Sequence, residues 1–314
     1  MAMQRDFILT VLTWALAGVA SMPALAQTAV SPVAPAGNAA QGATVVPDFS
    51  GVWRHPSLPG FEPPASGPGP VTNRSRTRNG ASNWNELVGD YTSPILKPWA
   101  AEIVKKHGEI SKTGVAYPTP ANQCWPGPVP FIFWSFITQV VQAPDRVTFL
   151  YTDPGDQFRQ VRLNEQHPAH VTPSWYGDSV GHYEGDTLVI DTVGIRTDRP
   201  YAMVDHYGTP YTAALHVVER YRLLDYADAK DALARDTKEN SHVQVDSVNR
   251  NYRGKHLQLE FTVEDEGTFT TPWSATVTYL PSLPEWDEES CTENINEYYN
   301  NGVSDVPRAD KPDF

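Results

Sequence analysis

His182 and Asp191 are spaced so that they could form a catalytic pair. They flank Gly185-Asp186, and a two-residue loop that contains glycine is typical of a tight β-hairpin. Side chains alternate between the two faces of a strand, so both possible two-residue registers put the histidine and the aspartate on one face. A carboxylate that holds one imidazole nitrogen leaves the other free to accept a proton. The spacing therefore predicts a general base, His182, that is oriented by Asp191.

Three further titratable residues are candidates for the second proton-transfer group. Asp205 and His206 lie in an irregular segment between strands, where binding and catalytic residues are common. Glu219 shares a strand face with apolar residues, and a carboxylate in such surroundings must find a partner or raise its pKa. It is therefore either a general acid or the partner of a buried arginine, and the sequence leaves both roles open.

Aromatic residues make up 11% of the chain, which suits a ring-lined pocket and equally an ordinary β core. Several of them lie close to the candidate catalytic residues. The predicted substrate-binding residues are Trp53, Trp175, Tyr176, Tyr183 and Arg220.

A metal site is the alternative for the same region. His182 and Glu184 lie two residues apart and so share one strand face, where His206 or His216 could complete a set of two histidines and a carboxylate. The sequence contains no His-Glu-x-x-His motif and no phosphate-binding Gly-rich loop. The leading hypothesis therefore includes neither a metal nor another cofactor.

The central hairpin belongs to a longer segment that resembles a family of secreted bacterial proteins. The segment is Gly177-Asp-Ser-Val-Gly-His-Tyr-Glu-Gly-Asp-Thr-Leu-Val-Ile-Asp-Thr192, and the family carries Trp where Tyr183 stands. Three shorter pieces are similar to the same family: Asp48-Phe-Ser-Gly-Val-Trp53, Leu215-His-Val-Val-Glu-Arg-Tyr-Arg222 and Cys291-Thr-Glu-Asn294. The resemblance covers most of the chain after residue 47. It implies secretion and a β-rich fold, and it leaves the chemistry open.

The first 26 residues have the pattern of a secretory signal peptide. Arg5 precedes an apolar run that is too short to span a bilayer, and Ala24-Leu25-Ala26 fits a cleavage site before Gln27. Residues 27–47 are predicted to form a flexible linker to one β-rich domain, 48–314. We therefore expect a periplasmic or secreted protein whose mature form has no membrane span.

Charge and cysteine content limit the partners and the compartment. The chain has 24 Lys and Arg against 37 Asp and Glu, a formal net charge of −13. Nucleic acids and anionic membranes bind basic surfaces, so neither is an expected partner, and the oligomeric state is left open. The two cysteines, Cys124 and Cys291, are expected to form a disulfide in an oxidising compartment.

The residue patterns predict a mainly β protein. Strands are predicted at 133–143, 146–151, 158–163, 179–184, 187–193, 215–223, 242–248, 256–263 and 268–280, and helices at 97–107 and 287–299. Strands separated by turns indicate an antiparallel barrel or, alternatively, a two-sheet sandwich. Gly51-Val-Trp53 resembles the first strand of lipocalin-like barrels and favours the barrel. Residues 56–85 are predicted to be a long surface loop, either disordered or a lid. His107 is expected to cap the end of its helix or to lie at the surface.

These features together predict an exported, cofactor-independent enzyme for a hydrophobic or aromatic small molecule. The expected reaction is a lyase, isomerase or hydrolase step by general acid–base catalysis. The alternative is a periplasmic carrier that binds such a molecule without chemistry. A catalytic base needs access to a pocket and a carboxylate within reach, whereas a carrier needs only an apolar cavity.

Overall fold

Nine β-strands close into one barrel in the described part of the computed structural model. The structure describes residues 46–57, 60–115, 117–135, 137–152, 157–199, 202–241, 248–283 and 291. The strands are β1 Gly51–Arg54, β2 Ile137–Gln142, β3 Arg146–Tyr151, β4 Gln157–Leu163, β5 Asp178–Glu184, β6 Thr187–Val193, β7 His216–Leu224, β8 His256–Glu264 and β9 Trp273–Pro281. They follow one another in chain order, and β1 closes the barrel against β9. The predicted barrel, rather than the sandwich, is therefore confirmed.

One pair of neighbouring strands, β4 and β5, is parallel, whereas the other pairs of neighbours are antiparallel. A parallel pair needs a crossover of a dozen or more residues, because the chain must return to the end at which the first strand began. Residues 164–177 supply this crossover. The prediction of a purely antiparallel barrel is therefore wrong at this pair.

The central hairpin forms with one of the two predicted loops. Glu184 pairs with Thr187, and Gly185 between them has the positive φ of +64° that is typical of such turns. Strand alternation then sends one set of side chains into the barrel and the other to the outside. On β3, for example, Val147 and Phe149 point inward and are fully buried. Aliphatic and aromatic side chains therefore fill most of the barrel.

Within the described ranges, two α-helices, α1 (Pro98–Ser111) and α2 (Tyr226–Glu239), accompany the strands. The first confirms the predicted helix at 97–107. The second was not predicted, although an alanine-rich stretch after an aspartate is typical of a helix. It lies beside β7 and β9.

Two predicted strands begin later than expected. Residues Phe131–Trp134 form a short 3-10 turn before β2, and all four of its side chains are buried. The N–H groups of Phe133 and Ser135 donate to the carbonyls of Pro130 and Ile132, so these donors are used within the turn and not in a strand ladder. Residues before β9 form a second turn, in which the N–H groups of Thr268 and Phe269 both donate to the Asp265 carbonyl.

The segment predicted as a long surface loop, residues 56–85, packs against the barrel. Phe61 is buried and contacts Trp134 and Phe261 edge to face. Glu62 exchanges two backbone hydrogen bonds with Thr276 of β9. The segment therefore extends the barrel wall beyond the end of β1. We call the line along which β1 and Phe61-Glu62 meet β9 the seam.

The predicted disulfide between Cys124 and Cys291 is present, with Cα atoms 5.5 Å apart. Other predicted elements lie outside the described residues: the signal peptide 1–26, nearly all of the linker 27–47, most of the strand at 242–248 and, apart from Cys291, the helix at 287–299. Within the described ranges, no helix is long and apolar enough to cross a membrane.

Candidate functional site

His182 and Asp191 share a face of the hairpin, as predicted, but this face is the outside of the barrel. The side chain of His182 is 53% exposed, and its Nε2 lies 3.1 Å from Oε1 of Glu184. Glu184 also accepts a hydrogen bond of 2.8 Å from Nη1 of Arg220. The carboxylate that orients His182 is thus Glu184, so the predicted pairing with Asp191 is wrong.

Asp191 holds two other histidines. Its Oδ1 lies 2.9 Å from Nε2 of His167, and its Oδ2 lies 3.0 Å from Nε2 of His216. The other ring nitrogens also face carboxylates, because Nδ1 of His167 is 3.6 Å from Asp178 and Nδ1 of His216 is 3.4 Å from Glu264. The hydrogen bond between His216 and Asp191 raises the pKa of His216 and lowers the pKa of Asp191. These five side chains, the outer histidine network, form a partly exposed array of charges.

Glu219 lies inside the barrel and has no exposed side-chain surface. Its Oε1 accepts a hydrogen bond of 2.6 Å from Nη2 of Arg159, and its Oε2 accepts one of 3.2 Å from the Tyr221 hydroxyl. Burial raises the pKa of Glu219, and the charge of Arg159 opposes this rise. The arrangement matches one of the two roles left open by the sequence, the partner of a buried arginine.

Ser179 contributes to the same interior group of polar side chains. Residues 177–181 match the pattern Gly-x-Ser-x-Gly, which in hydrolases places an exposed serine on a strand-to-helix turn. Here the serine lies within β5 and is buried, and its hydroxyl is 3.2 Å from Nε of Arg159 and 3.0 Å from the Thr192 hydroxyl. This local structure is that of a packed strand and not of a nucleophile.

Asp205 and His206 lie in a turn that packs into the core. The Asp205 carboxylate accepts hydrogen bonds from two backbone N–H groups of the turn, and burial raises its pKa to about 6. The His206 ring stacks between Phe131 and Trp134, and burial lowers its pKa to about 3. The two residues hold the turn in place, and neither lines the cleft described below.

His107 is buried, so the expectation that it lies at the surface is wrong. The inward stripe of α1 includes Ala100, Val104 and His107, which are separated by four and three residues and therefore share one helix face. The ring stacks on Tyr117 with centroids 3.9 Å apart. Burial lowers its pKa to about 3, so the ring is neutral.

The five predicted substrate-binding residues are spread over the barrel and do not meet in one pocket. Their contacts are Trp53 with the Phe49 carbonyl, Trp175 with the Trp125 ring, Tyr176 with Gln157, Tyr183 with Gln142 and Arg220 with Glu184. Most of these contacts join different strands or loops, and none of the five residues lines the cleft described below. A shared binding role for this set therefore has no support in the geometry.

A cleft of about 610 Å³ opens at the seam instead, between the segment 60–85, β9 and α2. This volume is ordinary for a small-molecule site. The rings of Phe61, Trp84 and Tyr207 line it, and the Trp84 indole N–H donates a hydrogen bond of 2.9 Å to Asn240 of the residues that follow α2. The cleft thus offers aromatic surface of the kind that the composition led us to expect.

His55 lies in the wall of this cleft, directly after β1. Its Nδ1 is 2.9 Å from the carbonyl oxygen of Ser57, and a carbonyl only accepts, so Nδ1 carries the proton. The Ser57 backbone N–H also approaches Nδ1, to 3.4 Å, but the shorter contact decides the tautomer. Nε2 lies 3.7 Å from Oδ1 of Asp236 and has no hydrogen-bond partner among the described residues. The ring therefore has one anchored nitrogen and one that is free to accept a proton.

Asp236 is held in place by two donors. The Ser57 hydroxyl lies 3.0 and 2.8 Å from its two oxygens, and Nδ2 of Asn240 donates a hydrogen bond of 2.7 Å to Oδ1. Its side chain is only 12% exposed. A fixed carboxylate at this distance stabilises the positive charge that develops on the imidazole when Nε2 takes up a proton. His55 and Asp236 can therefore accept a proton and return it.

Sequence reasoning missed both members of this pair, for different reasons. Asp236 lies in the last turns of α2, and the helix pattern after Asp225 could have placed it on a helix. His55 follows a four-residue strand, and its carboxylate partner is far away in the chain. No local spacing connects two such residues.

The metal alternative is not supported. No group of three or more His, Cys, Asp or Glu side chains in the described part of the chain is arranged to hold a metal ion. Glu184 is engaged by Arg220, His216 faces Asp191, and His206 is stacked between rings. These residues therefore do not converge with His182 on one point.

Comparison with known proteins gives no functional assignment. No family model matches the chain, and neither a curated protein nor a solved structure is significantly similar to it. The predicted resemblance to a secreted bacterial family stays a prediction. The functional argument therefore depends on the geometry of the cleft.

Proposed function

We propose that the protein is an exported enzyme that transfers a proton to or from an aromatic small molecule bound in the cleft. The observation that carries the proposal is the free Nε2 of His55 in a cleft lined by aromatic rings. His216 also lines a cleft, of about 430 Å³, but its two ring nitrogens both lie against carboxylates, those of Asp191 and Glu264, so neither nitrogen is free as Nε2 of His55 is. The disulfide supports export, since disulfides persist in oxidising compartments.

His55 acts first as a general base and then as a general acid. The Ser57 carbonyl fixes the ring through Nδ1, so the position of Nε2 is also fixed. When Nε2 takes a proton from the substrate, Asp236 stabilises the imidazolium, and the proton is then returned to another atom of the substrate or to a leaving group. This sequence serves an isomerase or a lyase, and it serves a hydrolase when the first proton comes from a water molecule that attacks the substrate.

The aromatic walls bind and orient the substrate. Rings provide large contact areas and fix the plane of a bound aromatic group. The cleft is large enough for a molecule of one or two fused rings. Orientation matters because a general base must lie within hydrogen-bonding reach of the proton that it removes.

A nitrobenzisoxazole tests this proposal, because its ring opens when a base removes one carbon-bound proton. We expect the protein to catalyse the reaction, and His55→Gln to lower kcat/KM by about a hundredfold or more. The rate is followed by the absorbance of the phenolate product. His182→Gln is the matched control, since it removes an exposed histidine outside the cleft and should leave kcat/KM unchanged.

Calorimetric titration of the same compound separates an enzyme from a carrier. His55→Gln should retain binding within about threefold while turnover is lost, because the rings and not the imidazole provide most of the contact area. A protein that binds the compound, but whose turnover is the same in wild type and His55→Gln, is a carrier. A protein that neither binds nor turns over the compound contradicts the proposal altogether.

A further inference from the structure

Of the six charged side chains around the cleft, five have a hydrogen-bond or ion-pair partner among the described residues. Three acids and three bases line it: Glu62, Asp236, Glu239, Arg76, Arg235 and Lys238. Two ion pairs, Arg76 with Glu239 and Arg235 with Glu62, join the segment 60–85 to α2. Asp236 is occupied by the Ser57 hydroxyl and by Asn240. Among the described residues, Lys238 alone of the six forms no hydrogen bond or ion pair.

We infer that the cleft selects aromatic carboxylates, an inference that rests on the proposed function and names its substrate class. A ligand that enters meets neutral aromatic rings and one exposed cation without a partner among the described residues, Lys238. The carboxylate of Asp236 also has no counter-ion there, but its side chain is only 12% exposed and already accepts hydrogen bonds from Ser57 and Asn240. A ring-bearing carboxylate matches both features, because its ring can pack on Phe61 and Trp84 while its charge pairs with the ammonium of Lys238. A neutral ligand leaves this cation unpaired, and a cationic ligand is repelled by it.

Lys238 also has a role that is independent of any ligand. It lies in the last turn of α2, where a cation offsets the partial negative charge of the helix carbonyls. Its removal therefore lowers helix stability slightly whether or not the cleft binds an anion. Only a binding measurement that compares ligands of different charge separates the two roles.

Three compounds of nearly equal shape provide this measurement: naphthoate, naphthamide and naphthamidine, which are an anion, a neutral molecule and a cation. We expect calorimetric titration at low ionic strength to give the tightest binding for naphthoate, by about three- to fivefold over naphthamide, as for an exposed ion pair. Naphthamidine should bind weakest. Added salt should reduce the differences, because the charges are near the surface.

Two variants of α2 assign the effect to one side chain. Lys238→Gln should remove the preference for naphthoate and leave the affinity for naphthamide unchanged. Lys230→Gln is the matched control, because it removes an exposed lysine of the same helix that does not line the cleft. It should leave all three affinities unchanged.

Equal affinities for the three compounds, or tightest binding of naphthamidine, would overturn the inference. If His55→Gln still abolishes the ring opening of nitrobenzisoxazole, the proposed function survives that result and only the charge selectivity fails. Absence of binding for all three compounds, together with turnover that does not depend on His55, would overturn both. A naphthoate preference that persists in Lys238→Gln would also reject Lys238 as its origin.

Discussion

Glu219 and Arg220 are neighbours on β7, yet they form ion pairs in opposite environments. Glu219 points into the barrel and pairs with Arg159, and neither side chain is more than 1% exposed. Arg220 points outward and pairs with Glu184, and both side chains are nearly half exposed. Water can replace a lost partner outside the barrel, but inside it a lost partner leaves an uncompensated charge. An ion pair between arginine and glutamate is therefore critical for stability inside the barrel, whereas water can replace either partner of such a pair outside it.

The solvent access of the cleft residues lies between that of these two ion pairs. His55 and Asp236 are mostly buried, like the interior pair, but both residues line a cleft that is open to a ligand. A half-exposed histidine such as His182 is in contact with water, which weakens the effect of nearby charges. A fully enclosed group such as Glu219 has no access to a substrate. A partly buried histidine at the seam avoids both disadvantages.

The largest expected difference between the two faces comes from removing one charge of each pair. Glu219→Gln should lower the free energy of unfolding by about 3–5 kcal/mol, because it leaves Arg159 charged and unpaired in the core. Glu184→Gln should lower it by less than about 1 kcal/mol. Urea unfolding followed by circular dichroism measures both. Losses of equal size would show that the interior of the barrel is as well solvated as its surface.

The disulfide tests whether a covalent link matters as much as the interior ion pair. It joins residues 167 positions apart, and in the chain-entropy model a loop of this length is worth about 5 kcal/mol, although measured values are typically about 2–4 kcal/mol. Replacing both cysteines by serine should therefore lower the free energy of unfolding by about 2–4 kcal/mol. Reduction of the wild type should give a similar loss. A loss below about 1 kcal/mol would mean that packing alone fixes these two segments.

The sequence could predict those parts of the structure that depend on neighbouring residues. The hairpin turn at Gly185 and the shared face of His182 and Asp191 follow from loop length and strand alternation. The sequence could not say which face would be buried, because that depends on distant residues such as Arg159, which neutralises Glu219 across the barrel. The sequence therefore predicts a pocket for His182, which is followed by Tyr183, although the histidine side chain lies outside the barrel.

The candidate site was beyond prediction for the same reason. Ser57 and Asp236 are 179 positions apart, and only the closure of the barrel and the docking of α2 bring them together. The helix itself could have been predicted from its composition. Its position on the seam could not, because the segment 60–85 has no regular pattern that would show where it packs.

Two glycines with positive φ extend the comparison between the inside and the outside to the backbone. Gly208 has a φ of +77° and Gly185 a φ of +64°, so alanine would be strained at both positions. A Cβ at position 208 would lie 2.2 Å from Cδ2 of His107, whereas a Cβ at position 185 would meet nothing within 4 Å. Gly208→Ala should therefore cost about 1–3 kcal/mol more than Gly185→Ala, because overpacking adds to the strain. Thermal unfolding of the two variants gives this difference, and equal costs would argue that the His107 ring moves away freely.

The smallest expected effect is the pH dependence of the outer histidine network. The pKa of His216 is raised above its ordinary value of 6.5, so its stabilisation is complete below that value and is lost as the pH rises through the raised pKa. The pKa of Asp191 is lowered from 3.8, so its stabilisation is present above that value and is lost as the pH falls through the lowered pKa. The bond between the two should therefore contribute most between these two ordinary values, from 3.8 to 6.5.

His216→Gln tests this window. Because both side chains are partly exposed, water and salt screen the pair, and we expect a loss of less than about 1 kcal/mol inside the window and almost none in mildly alkaline solution. The difference in unfolding free energy between wild type and variant, measured by urea unfolding at both pH values, gives the result. His182→Gln is the matched outer-face control, since its only described hydrogen-bond partner is Glu184 and it does not contact Asp191. A loss for His216→Gln that grows as the pH rises would contradict the expected direction of the pH dependence. A loss as large as that of Glu219→Gln would show that ion pairs inside and outside the barrel contribute equally to stability.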